Sequence, residues 1–277
     1  MRRFSLLVIA LILVGCAGGR TTDLHSPHPL PPLSQYGMNL SASDLLDPST
    51  VTCRLSTYLS EIERGGFAKR VRIVYSPDWG PQILRDWIPV IRARGFRVIA
   101  ILSQSHHDAE LAAQHAWARY GLPQIADLLD AVQPQNESND TTGWTPQQYA
   151  LWHRAIVPVI RAAVPGVPVL SPTLNNGKQW VAWHRGTGLV PGQDYDIIAA
   201  NVSDWSTSLL KTLVGVVTPE RLPIWLTESR WDEASKLEAM GVKPERSYVF
   251  VWNGPEFGTM AVRPGGPTPP VCPTGAP

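Results

Sequence analysis

Two glutamates have the residue type and the setting for chemistry. Glu137 closes Gln-Pro-Gln-Asn-Glu, and Glu228 closes Ile-Trp-Leu-Thr-Glu. Each ends a short apolar run that reads as a β-strand, and polar, turn-like residues follow each one. Carboxyls held at the mouths of separate strands can divide labour. One that keeps its proton is an acid; one that is ionised is a nucleophile or a base. A pair of this kind can flank a glycosidic bond, and its spacing sets the outcome. Roughly 5–5.5 Å allows covalent attack with retention, whereas roughly 6.5–9.5 Å leaves room for water and gives inversion. The nucleophile must be ionised, which a neighbouring guanidinium favours. The acid must hold its proton near neutral pH, which burial and a nearby negative charge favour.

The elements that would position this pair are legible as alternating apolar runs and amphipathic stretches. Strands are predicted near residues 37–40, 70–75, 96–102, 131–135, 167–170, 195–200, 222–227 and 247–252. Helices are predicted between them near 55–64, 83–94, 109–129, 177–186, 206–216 and 232–240, with a break in the 109–129 helix near Gly121-Leu122-Pro123. Another begins at Thr145-Pro146-Gln147-Gln148, a capping box with proline in the first turn. Its apolar positions Tyr149, Trp152, Ile156, Val159 and Ile160 fall on one stripe. Strand-helix alternation of this kind means a parallel sheet, and eight such strands close a (β/α)8 TIM barrel. A doubly wound open sheet is the competitor, but no glycine-rich phosphate loop follows residue 40. No convincing helix follows the eighth strand, so the barrel is expected to have a missing or degenerate eighth helix.

The ends of the chain read as address and tether. Met1-Arg2-Arg3 is a basic start, and the apolar run Phe4 to Val14 is short for a membrane span. Leu13-Val14-Gly15-Cys16 resembles the bacterial lipoprotein signal, whose cleavage leaves the cysteine to be acylated. That resemblance implies residues 1–16 as signal peptide, a lipid on Cys16 and a membrane-anchored protein of the bacterial cell envelope, at the outer membrane or cell surface. The alternative is an ordinary secretory signal with a chance cysteine. Residues 17–34 are rich in Pro, Ser, Thr and His and read as a flexible tether. The folded domain is expected over residues 35–265, with a Pro/Gly-rich tail over 266–277. Export permits a disulfide between Cys53 and Cys272, which is the reading adopted; the alternative is two unpaired thiols. A net charge of +1 with no basic run argues against nucleic acid as a partner.

With these elements set out, the pattern resembles the retaining glycoside hydrolases of clan A, in the manner of families 39 and 5. Asn136-Glu137 ends the fourth predicted strand, and Thr227-Glu228 ends the seventh. Thr-Pro-Gln-Gln-Tyr at 145–149 and Ile-Arg-Ala-Ala-Val-Pro-Gly-Val-Pro-Val at 160–169 are similar to the clan's helix and strand after the acid/base. Val-Trp-Asn-Gly-Pro-Glu-Phe-Gly at 251–258 is similar to its eighth-strand region. The resemblance implies Glu137 as acid/base, Glu228 as nucleophile, Asn136 on a sugar hydroxyl, Arg72 under the nucleophile and Trp252 as an aromatic floor. Two departures stand out. The clan often has His or Tyr at the end of strand six, where this chain has Ala199-Ala200-Asn201-Val202-Ser203-Asp204-Trp205, leaving Asn201 or Ser203 to hydrogen-bond instead. The usual proline after Asn-Glu is Ser138.

Other residues leave alternatives open. His106-His107-Asp108, with His115, invites a metal, but no metal-site spacing is present. Contacts from His106 or His107 to sugar hydroxyls are the better reading. The chain has 11 tryptophans, and Trp79, Trp144, Trp205 and Trp231 fall just past strand ends, where they can be sugar platforms or core. The expectation is a retaining glycosidase acting on an oligo- or polysaccharide with no cofactor or metal. Its rivals are a transglycosylase using the same glutamates and a non-catalytic carbohydrate-binding lipoprotein on the same barrel.

Overall fold

In the computed structural model the described residues are 33–40, 51–103, 111–139, 143–173, 180–202, 205–229 and 232–250. Seven strands lie in one parallel sheet: β1 (Tyr36–Asn39), β2 (Arg70–Val74), β3 (Arg97–Ile101), β4 (Leu129–Gln133), β5 (Ile198–Asn201), β6 (Ile224–Ser229) and β7 (Arg246–Phe250). Their order is β4-β3-β2-β1-β7-β6-β5, so the first strand sits mid-sheet beside the last. The sheet is curled, and residues 168–171 hydrogen-bond to both of its edges. Leu170 N–H donates to Val132 O (2.9 Å) on β4, and Ser171 N–H donates to Ile197 O (2.8 Å) before β5. The predicted fifth strand is thus reduced to the bridges Val132↔Val169 and Leu170↔Ile197. Pro168 has no N–H to extend a ladder, which shortens it.

The helices are α1 (Val51–Arg64), α2 (Gly80–Asp86), α3 (Ile88–Ala93), α4 (Leu111–Gln124), α5 (Pro146–Ala163), α6 (Trp180–Thr187), α7 (Thr207–Val217) and α8 (Glu233–Ala239). The stretch read as one helix over 83–94 is two. An unbroken helix would need an N–H from Pro89 to the Arg85 carbonyl, and proline has none. The 109–129 stretch yields one helix ending at Gln124, with Pro123 in its last turn rather than at a break. Tyr75 Oη donates to the Gly121 carbonyl there (3.0 Å). The capping box of α5 forms as expected: Gln148 N–H donates to Thr145 Oγ1 (3.2 Å), and Thr145 N–H donates to Gln148 Oε1 (2.8 Å). Of its stripe, Tyr149, Trp152, Ile156 and Ile160 are buried and Val159 is partly so.

Strand alternation sorts the side chains onto two faces. Val71, Ile73, Val98, Ala100 and Val132 face the helices. Ile99, Ala131, Leu170, Ile197, Ala199, Trp225 and Tyr248 make a separate cluster on the concave side. Gly37 leaves space for Tyr248 there; a Cβ at Gly37 would lie 2.6 Å from the tyrosine ring. Among the described residues no helix is long and apolar enough to cross a membrane. The region of the expected eighth helix and tail lies outside the described residues, as do residues 1–32.

Candidate active site

The concave face carries polar residues toward the C-terminal ends of the strands, where active sites of parallel α/β folds lie. Arg72, on β2, is 3 % exposed. Its guanidinium makes four hydrogen bonds: Nε donates to Gln133 Oε1 (2.8 Å), Nη1 to Asn39 Oδ1 (2.8 Å) and to Glu228 Oε1 (2.9 Å), and Nη2 to Asn136 Oδ1 (2.6 Å). Strands β1, β4 and β6 and the loop after β4 are therefore tied to one arginine on β2.

Glu228 reaches this cluster because β6 bulges. Across β5 the register runs Ala200↔Leu226 and then Asn201↔Glu228, so Thr227 is an extra residue. Strict alternation from inward Trp225 would turn Glu228 toward the helices. The bulge resets the count and brings Glu228 to the same side as Thr227, a recurring use of bulges beside sites. Thr227 fits the irregular step with two bonds: its carbonyl accepts from Asn39 Nδ2 (3.0 Å), and its hydroxyl donates to Asn201 Oδ1 (2.8 Å).

Glu137 lies four residues past β4 with φ +43°, in the left-handed region that non-glycine residues seldom adopt. Its neighbours hold it there. Asn136 N–H donates to Ser103 O (3.0 Å) and Ser138 N–H donates to Thr173 O (3.2 Å). The Ser138 hydroxyl faces the Tyr149 phenol. Tyr149 Oη is 3.1 Å from His153 Nδ1, and His153 Nε2 is 2.9 Å from the Asp194 carbonyl. Burial pushes His153 down to about 4, so the ring is neutral near pH 7. Nε2 must then donate to the carbonyl, leaving Nδ1 to accept from Tyr149.

The two carboxylates meet through Asn201, at the end of β5. Its Nδ2 donates to Glu137 Oε1 (3.2 Å) and lies 3.4 Å from Asn136 Oδ1. Asn201 is also the register partner of Glu228, and its side chain favours the charged form of that carboxyl. The Glu228 carboxyl is pushed above its ordinary value. Burial is the largest cause; Arg72 opposes it, the charge of Glu137 adds to it, and the bonds from Arg72 and Asn201 oppose it. The arginine expected to keep Glu228 ionised is present, but burial outweighs it.

Five sequence-read residues therefore share one network: Arg72, Asn136, Glu137, Asn201 and Glu228. Trp205 does not join it. It is 3 % exposed and packs against Trp180 (5.3 Å between centroids) beneath β5 and β6, so it presents no open ring for a sugar. His107, Ser203, Trp252, Cys16 and Cys272 lie outside the described residues; Cys53 lies in α1. Two members went unread. Gln133 is a polar residue at the end of β4, two positions from inward Ala131, which was a usable signal. Thr227 gave none, because its role depends on the bulge. Asn39, the last residue of β1, is a further partner of Arg72. Among the described residues no group of three or more His, Cys, Asp or Glu could hold a metal.

No family model matches the chain, and no curated protein matches its sequence. Solved structures do. XacCel5A in complex with cellopentaose aligns over 86 % of this chain and 97 % of its own, at 11 % identity and TM-score 0.60. Cel5A of Thermotoga maritima in complex with mannotriose aligns over 82 % and 92 %, at 14 % identity and TM-score 0.58. A β-1,3-glucanosyltransferase of Rhizomucor miehei aligns over 82 % and 90 %, at 12 % identity and TM-score 0.57. At such identities the likeness shows the fold: a curled parallel sheet with helices, shared with carbohydrate-active enzymes.

Proposed function

We propose that this protein is a retaining glycoside hydrolase on a closed (β/α)8 barrel, with residues 168–171 as the fifth strand. The observation that carries the reading is the convergence of Glu137 and Glu228 on one buried network, through Asn201 and Arg72, at the C-terminal mouth of the sheet. In the first half-reaction a Glu228 oxygen attacks the anomeric carbon. The glycosidic C–O bond breaks as the Glu137 carboxyl gives its proton to the leaving oxygen. In the second, ionised Glu137 takes a proton from water, the water oxygen attacks the same carbon, and the Glu228 ester bond breaks. Once Glu228 is esterified its charge is gone, which eases ionisation of Glu137 for the second step. Asn136 is assigned to a hydroxyl of the reacting sugar, with Arg72 positioning Glu228. His107 and Trp252 are proposed to line the pocket. No metal or organic cofactor enters this scheme.

The substrate class proposed is an oligo- or polysaccharide of the cell envelope or its surroundings, reached by a protein held to the membrane through an acylated Cys16, with Cys53 and Cys272 bridged. The test uses the soluble domain lacking residues 1–16. It is incubated with activated 2-fluoro glycosides, and the intact protein is weighed. A sugar adduct on the wild type, absent from Glu228→Gln, supports the reading and names the sugar. An adduct that persists in Glu228→Gln sinks the assignment of the nucleophile.

One observation favours a second reading, a non-catalytic carbohydrate-binding lipoprotein. Burial pushes Glu228 toward its neutral form, which is a poor nucleophile. Glycan binding unchanged by Glu228→Gln, with no adduct on any glycoside, would support it. A transglycosylase differs only in what attacks the intermediate, and an added sugar acceptor separates it from a hydrolase by its products.

A further inference from the structure

The end of β5 is where this chain departs from its expected pattern, and the structure shows a built arrangement there. Asn201 is 4 % exposed and Thr227 is fully buried. Thr227 Oγ1 donates to Asn201 Oδ1 at 2.8 Å. That bond fixes which way the amide faces. Turned over, Asn201 would set its oxygen against Asn136 Oδ1, which Arg72 Nη2 already fixes as an acceptor, and no proton would lie between the two. In the orientation present, the amide NH2 is 3.2 Å from Glu137 Oε1 and 3.4 Å from Asn136 Oδ1, and the side chain also favours the charged form of Glu228. The register bulge places Asn201 opposite Glu228, and Val202 N–H donates to the Glu228 carbonyl at 2.7 Å.

We propose that Asn201 is a positioning residue, its amide oriented by the bulged Thr227, that divides one NH2 between Glu137 and Glu228 and so couples the ionisation of the two carboxyls. This rests on the retaining reading for its catalytic meaning. An amide has no proton to lose near neutral pH, so it serves either carboxylate without becoming a third titrating group. When Glu228 carries the charge, Asn201 shares it with Arg72. When Glu228 is esterified, the same NH2 can settle on Glu137 as that group ionises. A histidine or tyrosine at this position would add an ionisation of its own; asparagine keeps the coupling and leaves that out. The groups acting on Glu228 are Arg72 from β2, Glu137 from the β4 loop and Asn201 from β5.

The experiment follows the Glu228 carboxyl by 13C NMR across a pH titration of the domain lacking residues 1–16, labelled at glutamate side-chain carbons. Glu228→Gln identifies the signal. Asn201→Ala and Thr227→Val are each expected to raise the Glu228 midpoint, by about one unit for loss of a donor to the charged form. Thr227→Ser keeps the hydroxyl and is expected to leave the midpoint where it is. If Asn201→Ala fails to fold, the Thr227→Val and Thr227→Ser pair decides the matter alone. Midpoints identical to wild type in folded Asn201→Ala, or in Thr227→Val, overturn the proposal. The titration reads the network whether or not the protein turns over a sugar. Failure to form any glycosyl adduct would count against the enzyme reading while leaving the titration result intact.

Discussion

The two ends of the same strands each gather arginine around a carboxylate, and they solve that problem differently. At the N-terminal end, Asp130 is surrounded by three arginines: Arg70 (3.4 Å), Arg97 (3.1 Å) and Arg246 (2.5 Å). These side chains are 33 %, 44 % and 23 % exposed, so water shares in solvating the charges. Arg246 also lies over the Trp225 ring at 4.1 Å. At the C-terminal end, one arginine that is 3 % exposed faces Glu228, and every other partner of Arg72 is a neutral amide. Arg70 and Arg72 are two residues apart on β2, so they share a face and differ only in depth along it. The outer cluster has cations in excess and solvent access. The inner one has a single cation, a second carboxylate close by and little water. There burial pushes the Glu228 carboxyl upward. The lesson is that an arginine near a glutamate does not by itself set the charge; desolvation decides which way the balance goes.

The largest effects expected from breaking this comparison are on turnover at the inner end. Glu137→Gln should lower kcat/KM by about 10²–10⁴-fold on a substrate that needs leaving-group protonation, and much less on one with an activated leaving group. Glu228→Gln should exceed that loss on both kinds, since it removes the bond-forming atom. Equal losses from Glu137→Gln on poor and activated leaving groups would refute its role as acid. Next comes a matched pair on β2. Removing the charge of Arg72 with Arg72→Met leaves a buried carboxylate without its ion partner, and denaturant unfolding should show a loss of about 3–5 kcal/mol. Arg70→Met, in the half-exposed cluster, should cost about 0–1 kcal/mol, because Arg97 and Arg246 still hold Asp130. Similar losses at both positions would erase the distinction between the two ends.

Much of this site was legible as residue types, and little of it as geometry. The strand carrying Glu228 was readable because a fully buried parallel strand is a nearly continuous apolar run, and a polar residue near its end stands out; Arg72 sits mid-strand on β2, and Asn136 lies three residues past β4. The α5 start was readable because a capping box is local chemistry. The break at Trp87 was missed although Pro89 announced it, because apolar periodicity runs straight through the proline. The bulge at Thr227 could not be read at all. It is a property of the pairing between β5, β6 and β7, and no residue in Ile-Trp-Leu-Thr-Glu marks it. Without the bulge, alternation would turn Glu228 toward the helices, so the residue type is legible in the sequence and the reason that brings it to the concave face is not. Trp205 failed in the opposite way: a ring just past a strand end looks the same in sequence whether it lines a pocket or packs on Trp180.

A pH series sharpens the comparison at smaller magnitude. The folded Glu228 carboxyl titrates above the ordinary glutamate value of 4.5. Between that value and the raised one, the native state holds a proton that the unfolded chain has released. Stability therefore falls as pH rises through this window, with a slope of at most about 1.4 kcal/mol per unit from this group. Glu228→Gln cannot release a proton and should remove that slope, so the variant gains on the wild type from the bottom of the window to its top. Catalysis needs the ionised form and should run the other way, with activity lost as pH falls through the same raised value. A wild-type stability curve that superimposes on that of Glu228→Gln across the window would show that Glu228 is not held up by its burial.

The smallest effect tests the Glu137 loop. Ser138 stands where the resembled enzymes usually have proline, and the structure gives this chain a reason to lack one. The Ser138 N–H donates to Thr173 O at 3.2 Å, and proline would delete that donor. Proline also restricts the residue before it to extended conformations, whereas Glu137 holds φ +43°. Ser138→Pro should therefore cost about 1–3 kcal/mol and lower kcat more than it raises KM, since it turns the acid away from the bond to be cleaved. Ser138→Ala keeps the amide and loses only the hydroxyl that faces Tyr149, so it should cost no more than about 1 kcal/mol. A Ser138→Pro protein as stable and active as Ser138→Ala would mean that the left-handed turn is not what aims Glu137. The aim would then have to come from Asn201 alone, which would make the Asn201 variants the larger effect.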